Sequence, residues 1–147
     1  MQHDQDVLFD HRCKTNLDSN GNHTLGMNNY ITLACAADAR PPTFSVKHDR
    51  YILYVSNGYA ANLYPSRTLR VPLGLSFNIP DGFFLNIASR SRDGYFVRGI
   101  NLTGDVYDLH LSIRNLSNDI IPIKSGQPLA DMTVLEISDL PIYVLPK

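Results

Sequence analysis

Three runs of strictly alternating apolar and polar residues between Leu73 and Arg114 restrict this chain to β-structure. Leu73, Leu75, Phe77 and Ile79 alternate with Gly74, Ser76 and Asn78, and Pro80-Asp81-Gly82 then supplies a turn. Phe83, Leu85 and Ile87 resume the pattern. After Gly99 a third run sets Tyr107, Leu109, Leu111 and Ile113 between Asp108, His110, Ser112 and Arg114. Successive side chains of a strand point to opposite faces, so each run reads as a strand with one apolar and one wet face. Between the second and third runs lies an unusual basic segment, Ala88-Ser89-Arg90-Ser91-Arg92.

The same reading predicts strands over Tyr30–Ala34, Thr43–Lys47, Arg50–Val55, Thr68–Ile79 with a break at Pro72, Phe83–Arg90, Val106–Arg114, Asp119–Ile123, Leu129–Ile137 and Ile142–Leu145. Arg40-Pro41-Pro42, Asn57-Gly58, Asp81-Gly82, Asn118-Asp119 and Ser125-Gly126 supply the breaks between them. No ten-residue stretch carries a helical stripe, and there are no internal repeats. Short strands at this spacing imply a β-sandwich, jelly roll or barrel. Residues 1–28 differ: Asp18-Ser19-Asn20-Gly21-Asn22 is turn chemistry, and only Val7, Leu8 and Phe9 cluster as apolar residues. They are expected to form a partly disordered or docked N-terminal arm before one β domain over 29–147.

At 147 residues, a chain buries roughly 70% of its unfolded surface and holds a core without staples. A net charge of -1 offers no electrostatic reason to expect nucleic acid or an anionic membrane. Cys13 and Cys35 lie far apart without metal-ligand spacing, which points to two thiols in a reducing compartment. His3, His11, His23, His48 and His110 show no ligand spacing either. No apolar run approaches the ~20 residues of a membrane span. The polar, acidic start Met1-Gln2-His3-Asp4-Gln5-Asp6 is unlike a signal peptide, so secretion is not expected. The sequon triplets at Asn22, Asn101 and Asn115 are therefore read as chance.

With the strands placed, the block from about Ile31 to Ile137 resembles the deoxyuridine triphosphatase (dUTPase) family. Family members carry "xIPxG", "APRSGLA", "GVIDxDYRGE", a strand ending in Asn, and "xxGxRIAQL". The same order appears here as Asn78-Ile79-Pro80-Asp81-Gly82, Ile87-Ala88-Ser89-Arg90-Ser91, Gly99-Ile100, Leu109 to Asn115, and Lys124-Ser125-Gly126-Gln127-Pro128-Leu129-Ala130-Asp131-Met132. The resemblance implies an all-β, dUTPase-like jelly roll or β-barrel with an N-terminal extension, assembled as a homotrimer. It also implies magnesium-dependent attack of water on a triphosphate.

The chain departs from the residues that this chemistry needs. The first motif, "AGYDLxS", falls near Tyr51 to Ser56, and its Asp is replaced by an apolar or aromatic residue. Arg90 and Ser91 remain as a phosphate-binding remnant, able to hold an oxyanion through the guanidinium and a backbone N–H. The third motif's carboxylate and tyrosine fall on Leu102, Gly104 and Asp105; a small register shift makes Asp105 and Tyr107 the weak catalytic candidates. The fourth motif's Arg and Gln become Pro128 and Asp131, and the fifth, glycine-rich motif is missing. Loss of a general base costs about 10²–10⁴-fold alone. The pattern resembles catalytically inactive viral relatives of the family, either adenoviral proteins from the first open reading frame of early region 4 or herpesviral dUTPase-related proteins.

Two readings compete for several residues. Arg90 is either a phosphate ligand or a solvated loop charge, and the latter is the commoner situation. Arg90, Arg92 and Arg98 form either a basic patch for an acidic partner or a loop balanced by Asp93 and Asp105. Asp105 and His110 lie five apart on one expected strand and so face opposite sides. Tyr54 runs out of phase with Leu53 and Val55, and is expected at a surface or subunit contact with Arg92 and Arg98. The apolar tail Leu140–Leu145 either adds as a strand to a neighbouring subunit or packs on its own. The favoured expectation is an inactive viral dUTPase-like protein without cofactor or metal. It binds a host protein in the host cytoplasm, the nucleus or both, binds no nucleic acid and has no membrane span. The alternatives are an active, magnesium-dependent dUTP diphosphatase and a structural jelly-roll protein.

Overall fold

The computed structural model describes residues 30–90, 94–138 and 140–147. The expected arm over 1–28 lies outside them. The described residues form strands and turns without a helix. The strands are β1 Thr32–Cys35, β2 Thr43–Ser45, β3 Arg50–Tyr54, β4 Ala61–Leu63, β5 Thr68–Pro72, β6 Leu75–Asn78, β7 Phe83–Ser89, β8 Tyr95–Val97, β9 Ile100–Leu102, β10 Asp105–Val106, β11 His110–Asn115, β12 Ile121–Ile123 and β13 Pro128–Glu136. They make a five-stranded sheet ordered β2-β3-β13-β7-β9, two three-stranded sheets, β1-β6-β10 and β5-β11-β8, and the pair β12-β4. Every pairing is antiparallel.

All four sheets contribute to one core. Leu53, Leu85, Ile87 and Met132 come from the large sheet, Leu75 and Phe77 from β6, Val71, Leu111 and Ile113 from β5 and β11, and Leu63 and Ile123 from β4 and β12. The alternation does what the physics requires. Leu85 and Ile87 are fully buried while Asn86 and Ala88 between and beyond them face outward; Leu111 and Ile113 are buried while Arg114 is exposed.

The stretch Thr68–Ile79 breaks at Pro72 as expected, and its two strands lie in different sheets, joined through Gly74. Its φ of 73° lies in the left-handed region, and a Cβ there would sit 3.0 Å from the Ala39 Cβ. The stretch Val106–Arg114 is likewise split, with Asp108 at φ 50° and its N–H donating to Ser76 Oγ at 2.9 Å. Asp is among the few L-residues that take this conformation readily. The segment Ile142–Leu145, expected as a strand, is not one. Leu140, Ile142, Tyr143, Val144 and Leu145 keep 75–91% exposure, because no strand among the described residues pairs with them.

A bulge in β13 decides the chemistry of the large sheet's outer face. Pro128 pairs with Tyr54 but Ala130 pairs with Leu53, so Leu129 is the extra residue. Regular pairing from Pro128 would set Asp131 opposite Tyr51, which points into the core. The bulge sets it opposite Ile52 on β3 and Ala88 on β7, on the outward face. Opposed residues share a face, so one inserted residue reverses where every later side chain points. Leu129 and Ala130 are both fully buried as a result.

Candidate active-site remnant

Arg90 follows directly on β7, two residues beyond Ala88, and Arg50 opens β3, two residues before Ile52. Both therefore flank Asp131 diagonally on the outward face. Arg90 Nη1 donates to Asp131 Oδ1 at 2.7 Å, and Arg50 Nη1 donates to Asp131 Oδ2 at 3.3 Å. The Asp131 side chain retains 15% exposure, against 37% for Arg90 and 46% for Arg50. One carboxylate thus bridges two guanidiniums across three adjacent strands. Pairs this exposed stabilise a protein by only about 0.2–1 kcal/mol each. Their importance here is that they occupy the cations and set the local charge.

The other candidates are spread over the molecule. Asp105 lies on β10 opposite Asn78 and accepts a hydrogen bond from the Asn78 Nδ2. Tyr107 follows β10 and is 79% exposed. His110 bonds through Nδ1 to the Asp108 carbonyl at 2.8 Å. Arg98 is exposed in the turn between β8 and β9, where its backbone N–H donates to the Ser112 carbonyl at 2.8 Å. Ser91 and Arg92 lie outside the described residues. Within one chain, Arg90 follows β7 of the large sheet and Asp105 lies in the sheet of β6, so the two are not brought together by strand pairing.

Tyr54 is a correction: its place is inside the chain, at 5% exposure, and it forms no surface. Its alternation does point it away from the core, but the segment before β2 folds over it. The Arg40 guanidinium stacks 3.8 Å from the ring centroid, and the phenol oxygen bonds Thr43 Oγ1 at 2.6 Å. Arg40 is held there by its bond to the Gly126 carbonyl. The ring is therefore covered by a cation and a hydroxyl, which satisfy both its π-face and its polar end.

Sequence reasoning noted Asp131 as a replacement and gave Arg50 no role. Arg50 carried a signal, since it alternates in phase with outward-facing Ile52. The pairing with Asp131 was hidden behind the bulge.

A hydrolase of the resembled kind would need oxygen ligands converging on a divalent cation. Among the described residues no group of three His, Cys, Asp or Glu side chains could hold one. No helix among the described residues is long and apolar enough to cross a membrane.

No family model matches the sequence, and neither does any curated protein. Solved structures do match. The dUTPase of Staphylococcus bacteriophage 80alpha with dUpNHpp aligns with a TM-score of 0.67 at 16% identity, over 81% of this chain and 89% of that one. A point variant of the dUTPase from phage phi11 of S. aureus, described as revealing how a structural Mg(II) ion is coordinated, aligns with a TM-score of 0.66 at 16% identity. That match covers 81% of this chain and 98% of that one. The chain is an all-β protein with the jelly-roll-like fold of the dUTPases. At this identity the likeness establishes the fold alone.

Proposed function

We propose that this chain is a viral dUTPase-fold protein that does not cleave dUTP and acts by binding a host protein. The observation that carries this reading is the Arg50–Asp131–Arg90 bridge. The arginine that the motif resemblance assigns to phosphate is engaged by a carboxylate of its own chain. A triphosphate approaching Arg90 meets the negative charge of Asp131 where a phosphate oxygen would have to bond. The tie between Asp105 and Asn78 supports the same reading.

Loops on a rigid β scaffold are natural binding elements. Arg98 is the described member of the proposed contact surface, and Arg92 stands six positions before it in the sequence. The phage dUTPases that share the fold are described as controlling the transfer of virulence genes by a proto-oncogenic G protein-like mechanism. That description supports a regulatory role for a viral protein of this architecture. The protein works as a homotrimer in the host cytoplasm or nucleus.

Titration with dUpNHpp and magnesium tests the nucleotide half of the proposal: no saturable binding is expected. Capture from host cells, run in parallel with wild type and Arg98→Glu, tests the other half. The expected result is a partner retained by wild type and lost by the variant. Tight dUpNHpp binding would overturn the first half, and identical protein sets in both captures would overturn the second.

A further inference from the structure

We infer that Arg50 and Arg90 form an oxyanion clamp occupied in cis by Asp131, and that Asp131 is the residue, among those described, that excludes phosphate chains from it. The inference rests on the reading above that Arg90 descends from a phosphate-binding position. The two carboxylate oxygens each accept from a different guanidinium, at 2.7 Å and 3.3 Å. A phosphate presents two non-bridging oxygens in a similar way, and guanidinium groups recognise both anions through the same charge-assisted bonds. The clamp is preorganised. Arg50 opens β3 and Arg90 immediately follows β7, and each strand is paired to β13, the strand that carries Asp131. Both cations also stay reachable from solvent, at 46% and 37% exposure.

Asp131 wins the clamp because it is attached. Even a flexibly tethered group reaches an effective concentration on the order of millimolar, and the bulge at Leu129 fixes this one in place with no tether to order. An incoming phosphate also has to approach a fixed negative charge. Replacing the carboxylate by its amide removes the occupant and raises the charge of the three-residue cluster from +1 to +2.

Calorimetric titration with inorganic pyrophosphate at low ionic strength tests this on the full chain. Wild type is expected to bind no more than weakly, and Asp131→Asn at least tenfold more tightly. Adding Arg90→Ala or Arg50→Ala to the Asp131→Asn chain is expected to remove the gain. A gain that survives either arginine substitution, or no gain in Asp131→Asn, overturns the clamp. Asp131→Ser serves as the second variant should the amide not fold. Failure of both to fold would assign Asp131 a structural role and overturn the proposal as well. Magnesium-dependent dUTP turnover by wild type is a separate outcome: it would sink the functional reading, whereas the pyrophosphate titrations judge the clamp.

Discussion

Asn115 is buried to 2% exposure at the end of β11, and its amide ties three segments together. Its Nδ2 donates to the carbonyls of Leu63 at 2.9 Å and Asp119 at 2.7 Å, and its Oδ1 accepts from the Ser117 N–H and Oγ. A buried polar group is tolerated when all its bonds are made, and is costly to half-remove. Asn115→Ala is expected to lower stability by about 2–3 kcal/mol in urea unfolding, since it removes the amide's buried bonds to Leu63, Asp119 and Ser117 together. Arg40 works by the same logic at smaller scale. Arg40→Ala uncovers the Tyr54 ring, and about 1 kcal/mol should be lost. Quenching of tyrosine fluorescence by acrylamide should rise in that variant. At Asp131, the residue scale joins the functional one, because its neighbours decide whether Arg90 is available to a ligand.

At the scale of elements, β13 governs the outer face of the large sheet. Leu129, the bulged residue, is fully buried. Leu129→Ala should cost about 2–5 kcal/mol by leaving a cavity, and urea midpoints would register it. The long alternating strands were legible in the sequence because period-two burial is written residue by residue. Phe83–Ser89 and His110–Asn115 match that pattern. Ala61–Leu63, Tyr95–Val97 and Ile100–Leu102 were not legible, because three residues carry little alternation; Thr43–Ser45 and Ile121–Ile123, equally short, were marked by the Arg40-Pro41-Pro42 and Asn118-Asp119 breaks before them. The bulge was invisible for a different reason: it is a property of two strands paired, and neither shows it alone. Hence Arg90 could be named from its motif, while its pairing with Asp131 and the burial of Tyr54 could not. The latter depends on where the Arg40-Pro41-Pro42 segment folds, a tertiary contact.

At the scale of the molecule, the tail is a feature that the other described residues leave uncovered. Five large apolar side chains between Leu140 and Leu145 stand in solvent, and such patches usually mark a contact. Strand addition to a second copy would hide them and satisfy their backbone groups. Light scattering should then give about three times the 16.5 kDa of one chain, and truncation after Ser138 should give a folded monomer. An unchanged mass after truncation would remove the tail from the assembly.

On the proposed reading, Arg90 of this dUTPase-fold chain is occupied by its own Asp131 on the outer face of the large sheet, and the protein does not hydrolyse dUTP. Pyrophosphate release from dUTP with magnesium tests it most directly. Release at the level of the protein-free control is the predicted result. Release above that level, abolished by Asp105→Ala, would contradict the account.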